Sequence, residues 1–138
     1  MTAILLGTGA TIFLLLGIVH AVLTLRDIKT PRTFTPPDRQ LREAMQASSV
    51  AINPASNLWR AWLGFNLSHA LGAIVFGAAL AVVAINNVHT FQASPAFRIA
   101  APLIGAIYVT LARLFWFRDP LIGTSIATTL ITAASLLA

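Results

Sequence analysis

Four apolar stretches dominate the chain, and their lengths predict helices rather than strands. Thr2 to Leu25 contains no charged residue. Leu58 to Val88 has only Arg60, near its start. Phe97 to Phe117 contains Arg98 at its edge and Arg113 near its end. Leu121 to Ala138 is the shortest and the richest in threonine. A bilayer core needs about 20 apolar residues per helix, so the pattern predicts spans over about 2–25, 58–88, 97–117 and 121–138. The fold class expected is all-α: an integral membrane four-helix bundle forming one domain. Only Arg118-Asp119-Pro120 separates the third stretch from the fourth, which predicts a tight helical hairpin. Proline suits the first turn of the helix that follows, where its missing N–H is not needed.

The polar segment 26–57 is the one long connection. Pro31, Pro36 and Pro37 stiffen its first part. Thr35-Pro36-Pro37-Asp38 reads as a capping box, followed by a short helix to about Val50 with Leu41, Ala44, Met45, Ser48 and Ile52 along one stripe. Arg39, Arg42, Glu43 and Gln46 lie off that stripe. Two readings stand side by side: an interfacial helix on the cytoplasmic leaflet, with Lys29, Arg32, Arg39 and Arg42 meeting anionic lipid, or a solvated spacer. Asn53-Pro54 ends this helix, and Ser56 or Asn57 can cap the next.

Composition agrees with the pattern. Of 138 residues, 57% are hydrophobic and only 9% charged, whereas soluble domains carry about a quarter charged residues. An ordinary soluble enzyme, a disordered tail and a nucleic-acid-binding module are thereby excluded. There is no cysteine, so thiol catalysis, disulfides and cysteine-ligated metals are excluded as well. Net charge is +5, and it is distributed unevenly. Eight of the nine basic residues fall in or beside the connections that follow the first and third stretches, and only Arg98 lies on the other side. The positive-inside rule then puts those connections in the cytoplasm and both termini in the periplasm of a bacterial inner membrane. Trp59, Trp62 and Trp116 fall at the cytoplasmic boundary, and Phe91 and Phe97 flank the opposite one. The first stretch lacks a basic n-region and is too long for a cleaved signal peptide, so a retained anchor is expected.

Polar residues inside spans mark candidate sites, because hydrocarbon makes them costly. At a rise of about 1.5 Å per residue, His20, Asn66 and Arg113 reach similar depths on the cytoplasmic side. His69 is one turn beyond Asn66 on the same face, and Thr124 and Thr128 enter the same layer. His69, Asn66, His20 and Arg113, with Trp62, form the candidate ligand site. Each alone has a structural use: carbonyl bonding for His20, snorkelling for Arg113, interhelical bonding for Asn66. The four carboxylates lie at or beyond the boundary, which argues against a metal site and a Ser–His–Asp set. A haem between His20 and His69 is the weaker fit; a quinone or lipid headgroup suits His, Asn and Arg beside apolar walls better. Small residues at Gly64, Ser68 and Gly72, and at Ala73, Gly77 and Ala81, predict close helix packing on two sides of the second helix.

The run Trp59-Arg60-Ala61-Trp62-Leu63-Gly64-Phe65-Asn66-Leu67-Ser68-His69-Ala70-Leu71-Gly72 resembles the W-R-A-W-x-G-F-N-x-S-H-x-L-G signature of a family of small bacterial four-helix membrane proteins. Leu41-Arg42-Glu43-Ala44-Met45 is similar to a second piece in the family's basic connection. The resemblance extends from the first helix to Trp116. It implies the architecture and groups Trp59, Arg60, Asn66, Ser68 and His69 as a unit; it carries no activity. The leading expectation is a non-enzymatic accessory or ligand-holding subunit, packing against a membrane-protein partner or a second copy of itself. The alternative is a membrane enzyme or redox protein acting on a lipid or quinone.

Overall fold

A computed structural model describes residues 1–138. It is all-helical apart from one small hairpin, with the order α1 (Thr2–Lys29), α2 (Arg39–Ala47), β1 (Ser49–Val50), β2 (Asn53–Asn57), α3 (Leu58–Asn86), α4 (Val88–Ala93), α5 (Pro95–Phe115) and α6 (Arg118–Leu136). The four expected apolar stretches are the four long helices. Of these, α1, α3 and α5 are long and apolar enough to cross a membrane.

Several boundaries differ from the sequence expectation. Helix α1 continues past Leu25 to Lys29, because nothing in Arg26-Asp27-Ile28-Lys29 breaks a helix. The second stretch ends at Asn86 rather than Val88, and Val88–Ala93 is a helix of its own. The short connecting helix stops at Ala47, not near Val50. Its N-cap is Asp38, whose carboxylate accepts the Gln40 N–H at 2.8 Å, rather than Thr35. Ser48 to Asn57 is instead an antiparallel hairpin with an irregular register, Ser49 opposite Asn57 and Val50 opposite Asn53. Ile52 therefore sits in the hairpin turn, 93% exposed, and not on a helical stripe. Local side-chain bonds explain the switch: Asn53 Oδ1 accepts the Ala55 N–H, a turn that competes with helix. Asn57 Oδ1 then accepts the Arg60 N–H and caps α3, as its position promised.

The chain divides into two units. The first comprises Met1–Leu16 and Ala73–Ala138, and the second Gly17–Gly72, so the division passes through α1 and α3. In the first unit, Leu6, Ala10 and Phe13 of α1 share a core with Leu80 and Ala84 of α3, Phe91 of α4, Ala101 of α5, and Ala127, Ile131 and Ala134 of α6. Phe13 is the centre of an aromatic group: its ring meets Phe76 at 4.9 Å and Tyr108 at 5.3 Å, both edge-on, a geometry aromatic quadrupoles favour.

Small residues set the spacing of these helices. A Cβ on Gly77 would lie 2.6 Å from the Leu14 backbone N and 2.7 Å from the Ala10 carbonyl O, so only glycine lets α3 come this close to α1. Gly105 of α5 makes the same approach to the Thr128 side chain of α6. Thr2 donates to the Leu137 carbonyl at 3.3 Å and Arg98 to the Ser135 carbonyl at 3.0 Å. Within this unit, the start of α1, the start of α5 and the end of α6 thus gather at one end. Gly64, by contrast, has nothing near it, so the packing face predicted there is open.

Much of the aliphatic surface stays uncovered. Ile4, Val75, Val82, Ile85, Ile99 and Leu103 are all more than half exposed. Exposed apolar side chains on this scale mark a surface that meets something other than water.

Candidate ligand-binding site

The site lies within the unit Gly17–Gly72. Helix α1 supplies His20 and helix α3 supplies Trp62, Asn66 and His69. Asn66 is buried and both its amide atoms are engaged. Its Nδ2 donates to the Trp62 carbonyl one turn back at 2.9 Å. That leaves Oδ1 facing His20 Nε2 at 3.1 Å. Because Oδ1 can only accept, this orientation assigns the proton of His20 to Nε2. His20 Nδ1 is then the acceptor nitrogen. The amide thus holds the imidazole in one tautomer and one ring orientation, an arrangement also used beneath functional histidines.

Two rings contact that imidazole. Phe34 stacks on it with centroids 4.5 Å apart and planes at 26°. His69 meets it edge-on at 5.4 Å and 72°. The two imidazoles touch directly, so they do not flank a space into which a porphyrin plane would fit, and the bis-histidine haem geometry is not present. No three His, Cys, Asp or Glu side chains converge on a metal-sized position.

Phe34 reaches this site from the connection, and Asp27 is what puts it there. Asp27 is buried in the last turn of α1. Its carboxylate accepts the backbone N–H of Arg32 at 3.1 Å, of Thr33 at 3.0 and 3.1 Å, and of Phe34 at 2.6 Å, with the Thr35 hydroxyl at 3.5 Å. A carboxylate at a helix C-terminus opposes the helix dipole. The backbone donors offset that cost by gathering at the anion, and the segment wraps back over α1 as a strap. Sequence reasoning missed both Asp27 and Phe34. The available signal was an acid at an electrostatically poor helix position, just before a proline-stiffened turn.

Beside the network is an open cavity of about 410 Å3 lined by Thr33, Phe34, Thr35, Pro36, Met45 and Trp62. Phe34 belongs to both the cavity wall and the His20 stack. Trp62 likewise lines the cavity while its carbonyl anchors Asn66. The lining is mostly apolar with two hydroxyls, the character of a site for a small ring or headgroup.

The remaining predicted residues are Arg113, Thr124 and Thr128, the other residues of the motif, and the basic side chains of the connection. Of these, Arg113 is exposed on α5, in the unit formed by Met1–Leu16 and Ala73–Ala138. Thr124 and Thr128 also belong to that unit; Thr124 donates back to the Pro120 carbonyl at 2.7 Å. Of the motif residues, Asn66 and His69 meet His20, whereas Arg60 and Ser68 are exposed and Ser68 donates to the Phe65 carbonyl. Lys29, Arg32 and Arg39 are exposed and Arg42 half-buried. Arg39 pairs with Glu43 one turn on at 2.7 Å.

Comparison with known proteins returns nothing for this chain: no family model, curated protein or solved structure matches it.

Proposed function

We propose that this chain is an integral four-helix protein of a bacterial inner membrane that holds a small ligand as an accessory subunit of a membrane assembly, without catalysing a reaction itself. The observation that carries the reading is the shared role of Phe34 and Trp62. Each lines the cavity, and each is tied to the half-buried His20–Asn66 network. A ligand entering the cavity therefore meets an aromatic wall whose position the network controls. The ligand class is a lipid headgroup or a quinone, with a flat or apolar part against Phe34, Trp62 and Met45 and an oxygen toward the threonine hydroxyls or the imidazoles.

The membrane reading draws on the apolar exposure of α1, α3 and α5, on the basic bias of the connections, and on the gathering of both chain ends at one end of the first unit. In this reading both termini are periplasmic, and α2 lies at the inner leaflet with Lys29, Arg32, Arg39 and Arg42 toward anionic lipid. The uncovered aliphatic faces and small-residue stripes offer contact to a membrane partner or a second copy.

Extraction in mild detergent followed by native mass spectrometry and an absorption spectrum tests the proposal. The expected result is a bound lipid or quinone mass that His69→Ala and Asn66→Leu release while the protein stays monodisperse. A colourless, ligand-free, monodisperse wild-type preparation overturns it. Topology is tested separately. Because the chain has no cysteine, single cysteines at Ala3 and Ile52 report cleanly, and labelling from opposite sides of the membrane is expected.

A further inference from the structure

A second cavity, of about 480 Å3, lies in the unit that contains both chain ends and is lined by Pro95, Arg98, Ile99 and Pro102 of α5 and by Thr132, Ser135 and Leu136 of α6. Its chemistry differs from that of the first. Arg98 is half-buried at its edge, and its Nε donates to the Ser135 carbonyl at 3.0 Å. That bond satisfies one of the carbonyls a helix C-terminus leaves open, and it holds the guanidinium in place. The two Nη groups have no protein acceptor, and no carboxylate pairs with Arg98. Asp119, the acid on α6, sits in the first turn of that helix, about 24 Å of helix away from Ser135.

The walls are apolar and open outward. Ile99 is 66% exposed and Leu136 78%, and the rings of Pro95 and Pro102 complete the groove. Pro102 has no N–H to give the Arg98 carbonyl, so one rung of the α5 ladder is missing at Arg98. A held cation with free donors at one end of an apolar groove matches a molecule with an anionic head and a hydrocarbon tail.

We propose that the groove between the first turns of α5 and the last turns of α6 binds one anionic phospholipid, its phosphate on the Nη groups of Arg98 and an acyl chain along Ile99 and Leu136. The inference rests on the membrane reading above and is independent of the His20–Asn66 site. The Thr132 and Ser135 hydroxyls in the lining already donate to the Thr128 and Ile131 carbonyls, which leaves them acceptor capacity only.

Native mass spectrometry of the full-length protein in detergent, with phosphatidylglycerol or phosphatidylcholine of identical chains added, provides the test. One basic side chain near the membrane surface corresponds to about a fivefold preference for the anionic lipid. Wild type should show a preference of that size for one phosphatidylglycerol per chain. Arg98→Gln keeps a donor for the Ser135 carbonyl and should abolish the preference, whereas Arg118→Gln, at the exposed start of α6, should keep it. Ile99→Trp fills the groove without touching the guanidinium and should displace the lipid, so the proposal stays testable if Arg98→Gln fails to fold. Glycerol phosphate at millimolar concentration should not compete, because it lacks the chain. Equal retention of the two lipids by wild type, an unchanged preference in Arg98→Gln, retention in Ile99→Trp, or displacement by glycerol phosphate each overturns the assignment. A chain that remains in solution without detergent sinks the membrane reading instead, and that failure is distinguishable from loss of selectivity.

Discussion

The close approach of α1 and α3 makes an opposed pair of predictions from two glycines on one helix. In Gly77→Ala the new methyl would lie 2.6 Å from the Leu14 N and 2.7 Å from the Ala10 O, both backbone atoms. Ordinary contact begins at 3.4 Å, so α1 and α3 must part by about 0.8 Å locally, given that backbone cannot swing aside. A gap of that size forfeits roughly a quarter to a half of each dispersion well it opens. The contacts at stake are those of Leu6, Ala10 and Phe13 with Leu80, Ala84 and Phe76. Overpacking of this kind costs about 1–3 kcal/mol, against about 1 kcal/mol gained in helix propensity when glycine becomes alanine. The expected net loss for Gly77→Ala is therefore up to about 2 kcal/mol. Gly64 has no atom within 4 Å to meet a new methyl, so Gly64→Ala retains the propensity gain and should stabilise by up to about 1 kcal/mol. Reversible unfolding of the purified protein in mixed micelles, titrated with a denaturing detergent and followed by circular dichroism, measures both. A Gly77→Ala protein more stable than wild type, or a Gly64→Ala protein that loses more than Gly77→Ala, would refute the close approach of α1 and α3.

Three further outcomes follow from named contacts. A double-mutant cycle with His20→Phe and Asn66→Leu should give a coupling of about 0.6–1.7 kcal/mol, the range of interhelical hydrogen bonds in membranes, and a coupling of zero would mean that the 3.1 Å bond does not form. Asp27→Ala strips the acceptor from three backbone N–H groups and should destabilise the chain by about 2–3 kcal/mol; hydrogen exchange read by mass spectrometry should accelerate at residues 32–34 first, with Asp27→Asn in between, and unchanged protection there would sink the strap. Thr128 Oγ1 is buried without a hydrogen-bond partner, so Thr128→Val, which keeps the shape, should raise stability by about 1 kcal/mol in the same unfolding assay; a loss of similar size would show that the hydroxyl is bonded.

What the chain announces by itself is its partitioning. Runs of apolar residues longer than any strand, interrupted by few charges, leave helices as the one way to satisfy the backbone, and the four long helices begin and end within a few residues of the expected places. Capping by Asn57 was equally readable, because it depends on a side chain and a backbone separated by three residues. Asn66 and His69 could be placed with His20 from depth and helical phase alone. Contacts between segments were not readable in this way. Depth gives no direction for a flexible side chain such as that of Arg113, which is exposed on α5. The hairpin at Ser49–Asn57 replaced the end of the expected helical stripe, where the Asn53 side chain accepts the Ala55 N–H and closes a turn. Asp27 looked like a boundary charge, yet its burial and its grip on Arg32, Thr33 and Phe34 decide where the aromatic cover of His20 lies. Hydrophobic burial is a sum over composition and can be read along a line, whereas a hydrogen-bonded site depends on directions that exist only once the chain has turned back on itself.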